Sequence, residues 1–459
     1  MSTADEPSDS TRFPGLTSRG RHMLDHLREH PNAPIFRNQS GHRLLPEDLE
    51  RVRAHAAQVR TAVLERPTGA PPSWVSTFVR ETWARVPFWR HRGAPPARYE
   101  DLPTTSRADL ARDIAAHVPD DAPVDRLINF RTTGSTGHPL LVASHPVVAA
   151  SYLAYHERAL RRFDLELRAG PGDVAVVLLG DQTRCFTYVS VVPMRGEAGL
   201  AKINLDPADW RDPDDRARYL EALAPEVLPG DPLSFGTLLT LPARLNPRAL
   251  FSTSMTLLPG LRAALETRFG CPVLDLYSLN EAGPVAVYDP RCGGHVVLQP
   301  ELYVEIVDAE GHAVPPGVRG EVTLTGGFNF CLPLVRYRTG DHAALDVSGP
   351  EPVLLGLEGR APVRFRATDG TWRNNVDVTH VLGRFPLSQF SLHQSADGAL
   401  TLRTRGAETE IGAMVEALRA LLGSSLSVKC EPLAPDADGR KPRQYTSDLP
   451  NAPVPACPS

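Results

Sequence analysis

The chain has 459 residues, 42% of them hydrophobic and 22% charged, with a formal net charge of −5; this is the composition of a globular protein with a sizeable core, and it excludes a generic nucleic-acid binder. At about 100–200 residues per domain the length predicts two or three domains, and 44 prolines favour rigid turns over long helices. Only three of the 49 basic residues are lysines, Lys202, Lys429 and Lys441, so a step that needs a compact, movable ammonium has three candidates.

The first dozen residues are polar and acidic, with no apolar signal core, and read as a disordered tail. Leu49, Val52, Ala56, Val59 and Val63 then recur at helical spacing until the PTGAPP segment at 67–72 breaks the chain. Residues 1–72 are thus expected to be an N-terminal extension, partly disordered and partly helical. From Ser73 a helical pattern (Trp74, Phe78, Thr82, Trp83) runs into VPFWR, and Ser106 with Asp109 forms a capping box for the next helix.

Between Ile128 and Arg360 short apolar runs (LLVAS, VAVVLLG, PVLDLYSL, YVEIVD, GEVTLTG) alternate with helical stretches such as LLPGLRAALETRFG. Strands interleaved with helices predict an α/β fold with parallel-rich sheets over 73–360, turning antiparallel near AEGHAVPPGVRG. Past Arg360 the pattern becomes a small α+β unit, 361–459. Its helix places Ile411, Met414, Val415, Leu418, Leu421 and Leu422 on one face beside ALTLRT and SLSVKC, so two or three strands under one helix are expected, with a flexible tail from Asp448. The longest apolar runs are strand-sized, so no membrane partner is expected. Six scattered cysteines without a CxxC pair fit a reducing, cytoplasmic setting.

One segment carries chemistry on its face. Thr132-Thr133-Gly134-Ser135-Thr136-Gly137-His138-Pro139 precedes the apolar run Leu140–Ala143. Small residues let a backbone approach an anion, and successive N–H groups with several hydroxyls hydrogen-bond phosphate oxygens. No GK[ST] follows, so this is not a Walker loop; a polar turn between strands has the same composition.

Three later segments follow it in a known order: Tyr277-Ser278-Leu279-Asn280-Glu281, Arg336-Tyr337-Arg338-Thr339-Gly340-Asp341, and Gly359-Arg360. With TTGSTGHP they resemble the adenylate-forming superfamily, in particular its phenylacetate–CoA ligase-like branch, where a TSSGTTGKP-like loop, a YGxTE segment, RYRTGD and a GR hinge occur in this sequence. RVPFWR and EDLPTTSRADL are similar to two upstream segments of that branch, so the resemblance spans about residues 74 to 447.

The resemblance implies a large adenylate-forming domain with a small mobile C-terminal lid, and ATP and Mg²⁺ as cofactors. By it, Thr132, Thr133, Gly134, Ser135, Thr136, Gly137 and His138 hold phosphates, Tyr277 stacks on adenine beside Ser278 and Asn280, and Asp341 grips the ribose. Glu281 is implied as the magnesium ligand, a hard carboxylate suited to that ion, and Arg360 as a ribose or phosphate contact at the hinge. Lys441, in DGRKPRQYTSDL, resembles the branch's C-terminal lysine that reaches into the site during adenylation; an ammonium on a flexible stem bridges the incoming carboxylate and developing phosphate charge. Family position suggests Phe186, Tyr188, Ser254 and Met255 for the acid pocket, where the aromatics and the methionine suit an aromatic acid, although such residues also build ordinary cores.

Departures from the pattern matter too. His138 stands where the branch has lysine, Ser278 where it has glycine, Asn280 where it has threonine, and Ala361-Pro362 follow the hinge without its usual acidic pair. Pro362 stiffens a swivel, so the nucleotide-holding half is better carried than the domain-rotated second half. Cys292 and His295 are spaced like half a metal site, but the cysteines that complete it in the branch are missing from Gly356-Leu357-Glu358-Gly359-Arg360, so no zinc is expected.

Three functions remain open on these residues. The first is ATP-dependent activation of a small-molecule acid, with transfer to CoA or a carrier-protein thiol. The second keeps the adenylation chemistry but diverts it to an amine acceptor or to nitrous acid with an aryl amine. The third is a nucleotide-binding protein that has lost turnover.

Overall fold

The computed structural model describes residues 8–65, 71–131, 140–359, 363–434 and 443–449. Its centre is a thirteen-stranded sheet. Five strands, Ala198–Asn204, Val174–Gly180, Val227–Gly230, Ala249–Ser252 and Val273–Leu279, lie side by side in that order and all pair parallel. Tyr188–Val192 closes one edge antiparallel to Ala198–Asn204. Beyond Val273–Leu279 the sheet continues antiparallel through Gly283–Asp289, Gly294–Val297, Val353–Gly359, Leu334–Asp346, Arg319–Gly326 and Leu302–Val307. The two halves match the expected change from parallel to antiparallel pairing.

The parallel half is apolar because helices cover both its faces. Val177, Leu179, Ala201, Ile203 and Leu228 face the helices Ser18–Glu29, Asp215–Leu223, Pro232–Thr240 and Pro259–Phe269. On the other face the helix Pro146–Arg161 packs Tyr155, Ala159 and Leu160 against Val227, Ala249 and Leu274. Short βα connections hold the C-terminal strand ends in one row, which is where open α/β sheets place ligands.

The N-terminal segment departs from expectation. Within the stretch read as a tail, Asp9–Arg12 form a helical turn, and Phe13 is buried with Met23, Leu24 and Leu27 against Val177 and Ile203. Burying one phenylalanine contributes about 1.5–3 kcal/mol, enough to order a short segment against a preformed sheet. The helix read from Leu49 to Val63 spans Pro46–Thr61, and Val63 lies past its end, 87% exposed; Ala62, at the C-cap, has already turned extended. In the capping box at Ser106, its N–H and Oγ both donate to Asp109 Oδ2, at 2.9 and 2.7 Å.

The C-terminal unit is richer than two or three strands under one helix. Four strands, Val428–Pro432, Leu400–Arg405, Gln389–Gln394 and Tyr445–Ser447, pair in that order. Ile411–Leu422 and a second helix, Asn375–Leu382, pack on them around Phe390, Leu402, Met414 and Leu418. Tyr445–Ser447 joins parallel beside Gln389–Gln394, so ordered structure runs to the edge of the segment read as a flexible tail. This unit docks on the sheet's helices: the N–H of Gly260 donates to Gly383 O (2.7 Å), and a Cβ at Gly260 would collide with the Phe385 carbonyl. Arg405 pairs with Asp181 at 2.6 Å, and Asn375 Nδ2 donates to Glu358 Oε2 at 2.8 Å.

Candidate active site

Among the described residues, the Tyr277–Glu281 and Arg336–Asp341 segments and Gly359 meet at the end of Val273–Leu279. That strand and Leu334–Asp346 are four places apart in the sheet order, with Gly283–Asp289, Gly294–Val297 and Val353–Gly359 between them. Even so, two side-chain bonds tie them reciprocally. Tyr277 donates its hydroxyl to Asp341 Oδ2 at 2.8 Å, and Tyr337 donates its hydroxyl to Glu281 Oε1 at 3.1 Å. Only a sheet that curls back on itself brings such strands within hydrogen-bonding reach.

Each of the two tyrosines is held neutral. Burial pushes the Tyr277 and Tyr337 hydroxyls far above their ordinary range, and the charges of Asp341 and Glu281 push them further. Toward the two carboxylates they serve as donors. Tyr277 itself is partly buried and packs against the cluster that contains Val285, Ala286 and Tyr337. Asp341 lies across the ladder from Gly359, and its N–H donates to Thr339 Oγ1 at 3.1 Å. A methyl at Gly359 would stand 3.4 Å from Asp341 Oδ1, so the chain entering Arg360 starts directly beside this carboxylate.

Glu281 is 4% exposed and has Arg107 Nη1 3.4 Å from Oε1. Arg107 reaches it because Thr105–Ser106 pairs parallel with Tyr337–Arg338. A single buried carboxylate beside a guanidinium does not form an all-protein cage. It fits the common magnesium mode in which the ion keeps several waters and takes phosphate oxygens. Gly283, two residues on, has φ +71°, and any Cβ there would collide with the rings of Tyr152 and Phe328; the glycine lets the helix Pro146–Arg161 close over the site.

The other predicted residues fall around this centre. Ser278 lies on the same strand opposite Pro284, and Asn280 is exposed in the following turn. Phe186 and Tyr188 stack obliquely at 5.6 Å, the first half-exposed and the second half-buried. Ser254 (φ +71°) and Met255 follow the strand Ala249–Ser252 at the same row of strand ends. Thr132 to His138, Arg360 and Lys441 lie outside the described residues. The hairpin Ile128–Arg131 and Leu141–Ser144 brackets the first group.

Cys292 and His295 do not face one ligand position: the Cys292 thiol donates to Asp289 O at 3.5 Å, while His295 Nε2 lies 3.6 Å from Asp275. Arg336 of RYRTGD is 3% exposed and bonded to Glu305, so it anchors the strand from below. Sequence reading missed Arg107, Tyr152 and Tyr337. Of these only Tyr337 had a signal, as a member of RYRTGD, because the other two are brought in by neighbours distant in sequence. A cavity of about 130 Å³ lies between Leu357–Gly359 and Asn375, Thr379 and Tyr445 of the C-terminal unit. A larger recess of about 360 Å³ is lined by Arg51, His55, Ser151, Phe328 and Phe330, none of them a predicted site residue.

Comparison with known proteins adds the following. The AMP-binding enzyme family matches residues 89–330. Phenylacetate-coenzyme A ligases of Aromatoleum evansii and Pseudomonas putida are 35% and 36% identical over 89 residues, 18% of this chain and 20% of theirs. Phosphinothricin tripeptide synthetase PhsB of Streptomyces viridochromogenes is 29% identical over 338 residues, 69% of this chain and 26% of the synthetase. The chain thus matches about a quarter or less of the length of these curated relatives. Among solved structures, 2-hydroxyisobutyryl-CoA ligase in its postadenylation state superposes with TM-score 0.59 over 87% of this chain and 90% of that one, at 18% identity. Its open conformation gives 0.51 over 86% and 91%. These likenesses show the adenylate-forming fold. Among the described residues no helix is long and apolar enough to cross a membrane.

Proposed function

The chain belongs to the AMP-binding enzyme family, and on that premise we propose that it activates a carboxylic acid, an aromatic one by the character of Phe186 and Tyr188, as an acyl-adenylate with release of pyrophosphate. Transfer to CoA or another thiol follows. The observation that carries this reading is the reciprocal pair of bonds, Tyr277 to Asp341 and Tyr337 to Glu281. It fixes two carboxylates through tyrosine hydroxyls, and in this reading one serves the ribose hydroxyls and the other a phosphate-bound cation.

Bound MgATP supplies an electrophilic α-phosphorus whose charge the ion shields. In this reading Asp341, fixed by the Tyr277 hydroxyl, accepts from the ribose hydroxyls, and the Tyr277 ring stacks on the adenine. Glu281 is oriented by Tyr337 and Arg107 and is the carboxylate offered to magnesium. The hydroxyls of Thr132, Thr133, Ser135 and Thr136 hold the phosphates, and Lys441 brings its ammonium between the incoming carboxylate and the α-phosphate. Arg360 follows Gly359 and reaches the ribose or phosphate from the hinge. We divide the chain accordingly into an extension over 1–72, a nucleotide- and acid-binding unit over 73–360 and a lid over 361–459.

The test is pyrophosphate release across a panel of aryl and alkyl carboxylic acids with MgATP, with CoA present or omitted, plus an arm with nitrite and an aryl amine. Acid-dependent release is expected. Release only with nitrite and amine diverts the chemistry to the second acid, and ATP binding without release from any arm leaves a protein that has lost turnover.

A further inference from the structure

Among the described residues, both side-chain bonds that reach the Glu281 carboxylate fall on Oε1, from the Tyr337 hydroxyl at 3.1 Å and from Arg107 Nη1 at 3.4 Å. Oε2 is the oxygen left for a cation. Arg107 is brought there by the fold: it opens the helix Arg107–Arg112, whose Leu110 is buried in the cluster that contains Tyr337 and Val285. Residues three apart share a helix face, so Arg107 lies on the side that Leu110 buries, while Arg112 stands exposed beside Asp109. The strand Thr105–Ser106 fixes the entry, because it pairs parallel with Tyr337 and Arg338 and Thr105 Oγ1 donates to Val335 O at 3.1 Å.

The contact between Arg107 and Glu281 is not built like the ion pair that anchors the adjoining strand. Arg336 is 3% exposed, meets both oxygens of Glu305 and gives its remaining donors to three carbonyls. Arg107 meets one oxygen of Glu281 with one nitrogen, at a length beyond the ~2.7–2.9 Å of a charge-assisted bond, and its side chain keeps 30% exposure against 5% for the carboxylate. That contact alone offsets little of the cost of burying Glu281. A guanidinium has five donors in a fork that matches phosphate oxygens as well as carboxylate, so one bond to Glu281 does not exhaust it.

The reaction gives such a group a task. The segment over 132–139, read as the phosphate holder, offers hydroxyls and N–H groups but neither lysine nor arginine. When a carboxylate oxygen bonds to the α-phosphorus of ATP, the bond from that phosphorus to the bridging oxygen breaks, and its electron pair leaves with pyrophosphate. No proton moves in this step. The charge that builds on the leaving group has to be met by the ion and by a fixed cation placed in advance.

We infer that Arg107 is that cation and a further catalytic residue: from the Oε1 side of Glu281 it donates to the leaving pyrophosphate, while Oε2 remains for magnesium. This rests on the acid-activating reading. It assigns Arg107 to the β- and γ-phosphates and not to the nucleoside, so the residue should distinguish pyrophosphate from AMP.

The experiment is calorimetry of the full chain with pyrophosphate and, separately, with AMP, both at saturating magnesium, for the wild type, Arg107→Met and Arg107→Lys. Arg107→Met weakens pyrophosphate binding about 10-fold or more and leaves AMP within about 2-fold, and Arg107→Lys recovers part of the loss. In kinetics, kcat for acid-dependent pyrophosphate release falls about 100-fold in Arg107→Met. A residue that only orients Glu281 acts through magnesium, and its effect vanishes once magnesium saturates. Equal weakening of both ligands, a loss that disappears at saturating magnesium, an unchanged pyrophosphate affinity, or no pyrophosphate binding in the wild type overturns the proposal. Should Arg107→Met not fold, Arg107→Gln, which keeps a donor for Glu281 without the charge, carries the same comparison. If no acid releases pyrophosphate from the wild type, the acid-activating reading falls, and the calorimetric comparison still decides the assignment of Arg107.

Discussion

Arg336, the first residue of RYRTGD, is predicted to hold the site together without touching the reaction. Its guanidinium uses all five donors inside the protein: Nε and Nη2 to the two oxygens of Glu305 (2.9 and 3.2 Å), Nη1 to Glu100 O and Leu102 O (3.1 and 2.8 Å), and Nη2 to Gly311 O (2.8 Å). Glu305 is 5% exposed and otherwise accepts only from Tyr99, at 2.9 Å, among the bonds formed by described residues. Arg336→Met removes the counter-charge and leaves a buried carboxylate and three carbonyls undersatisfied, which costs about 3–5 kcal/mol when one partner of a buried pair is deleted. That is a large share of the ~5–15 kcal/mol typical of a folded domain. Adding Glu305→Gln removes the orphaned charge, so the double variant should recover part of the loss, with a coupling of about 1.5–3 kcal/mol. Urea unfolding followed by tryptophan fluorescence is well placed to read this, because Trp83 and Trp89 stack at 4.5 Å in the cluster that contains Leu102 and Val335. Tyr337 and Asp341 ride on the same strand, so KM for ATP should rise with the instability. A single-variant loss below about 1 kcal/mol, or strict additivity of the two substitutions, would refute the anchoring role.

Three further outcomes are expected. Tyr277→Phe deletes a charge-assisted hydrogen bond to Asp341, worth about 1.5–3 kcal/mol, and should raise KM for ATP about 10-fold or more with a smaller change in kcat; steady-state kinetics with varied ATP checks this, and an unchanged KM counts against a ribose role for Asp341. Lys441→Ala should abolish adenylate formation, read by hydroxamate trapping, while ATP binding by calorimetry stays largely intact; retained trapping removes that lysine from the mechanism. Burial depresses His42, His117 and His156 to a pKa of about 4, so each is neutral in the folded protein while the unfolded chain protonates near 6.5. Their contribution is complete above about pH 6.5 and lost as pH falls toward 4. The urea midpoint should drop across that window, and His117→Phe, which keeps the stack on Phe88 (4.0 Å), should flatten part of the drop; an identical slope would exclude His117 as a contributor.

Much of this was legible in the chain itself. The period-two and continuous apolar runs located the strands, because a strand buried on both faces has no other composition available. The spacing of Ile411, Met414, Leu418 and Leu422 located the last helix, and the motif order from Thr132 to Lys441 pointed to the family that the comparisons show. Local signals were enough there because backbone geometry and a family motif are both written in neighbouring residues.

What only the tertiary structure decided are the relations between distant residues. Phe13, directly after the stretch read as a tail, is core because a sheet face built more than 150 residues later offers it a place. Tyr277 and Asp341, four strands apart in sheet order, meet because the sheet curls, and that curvature accumulates over a dozen strands and is not encoded by any one of them. Arg336 turned out to be an anchor and Arg107 a neighbour of Glu281, assignments that depend on who faces whom.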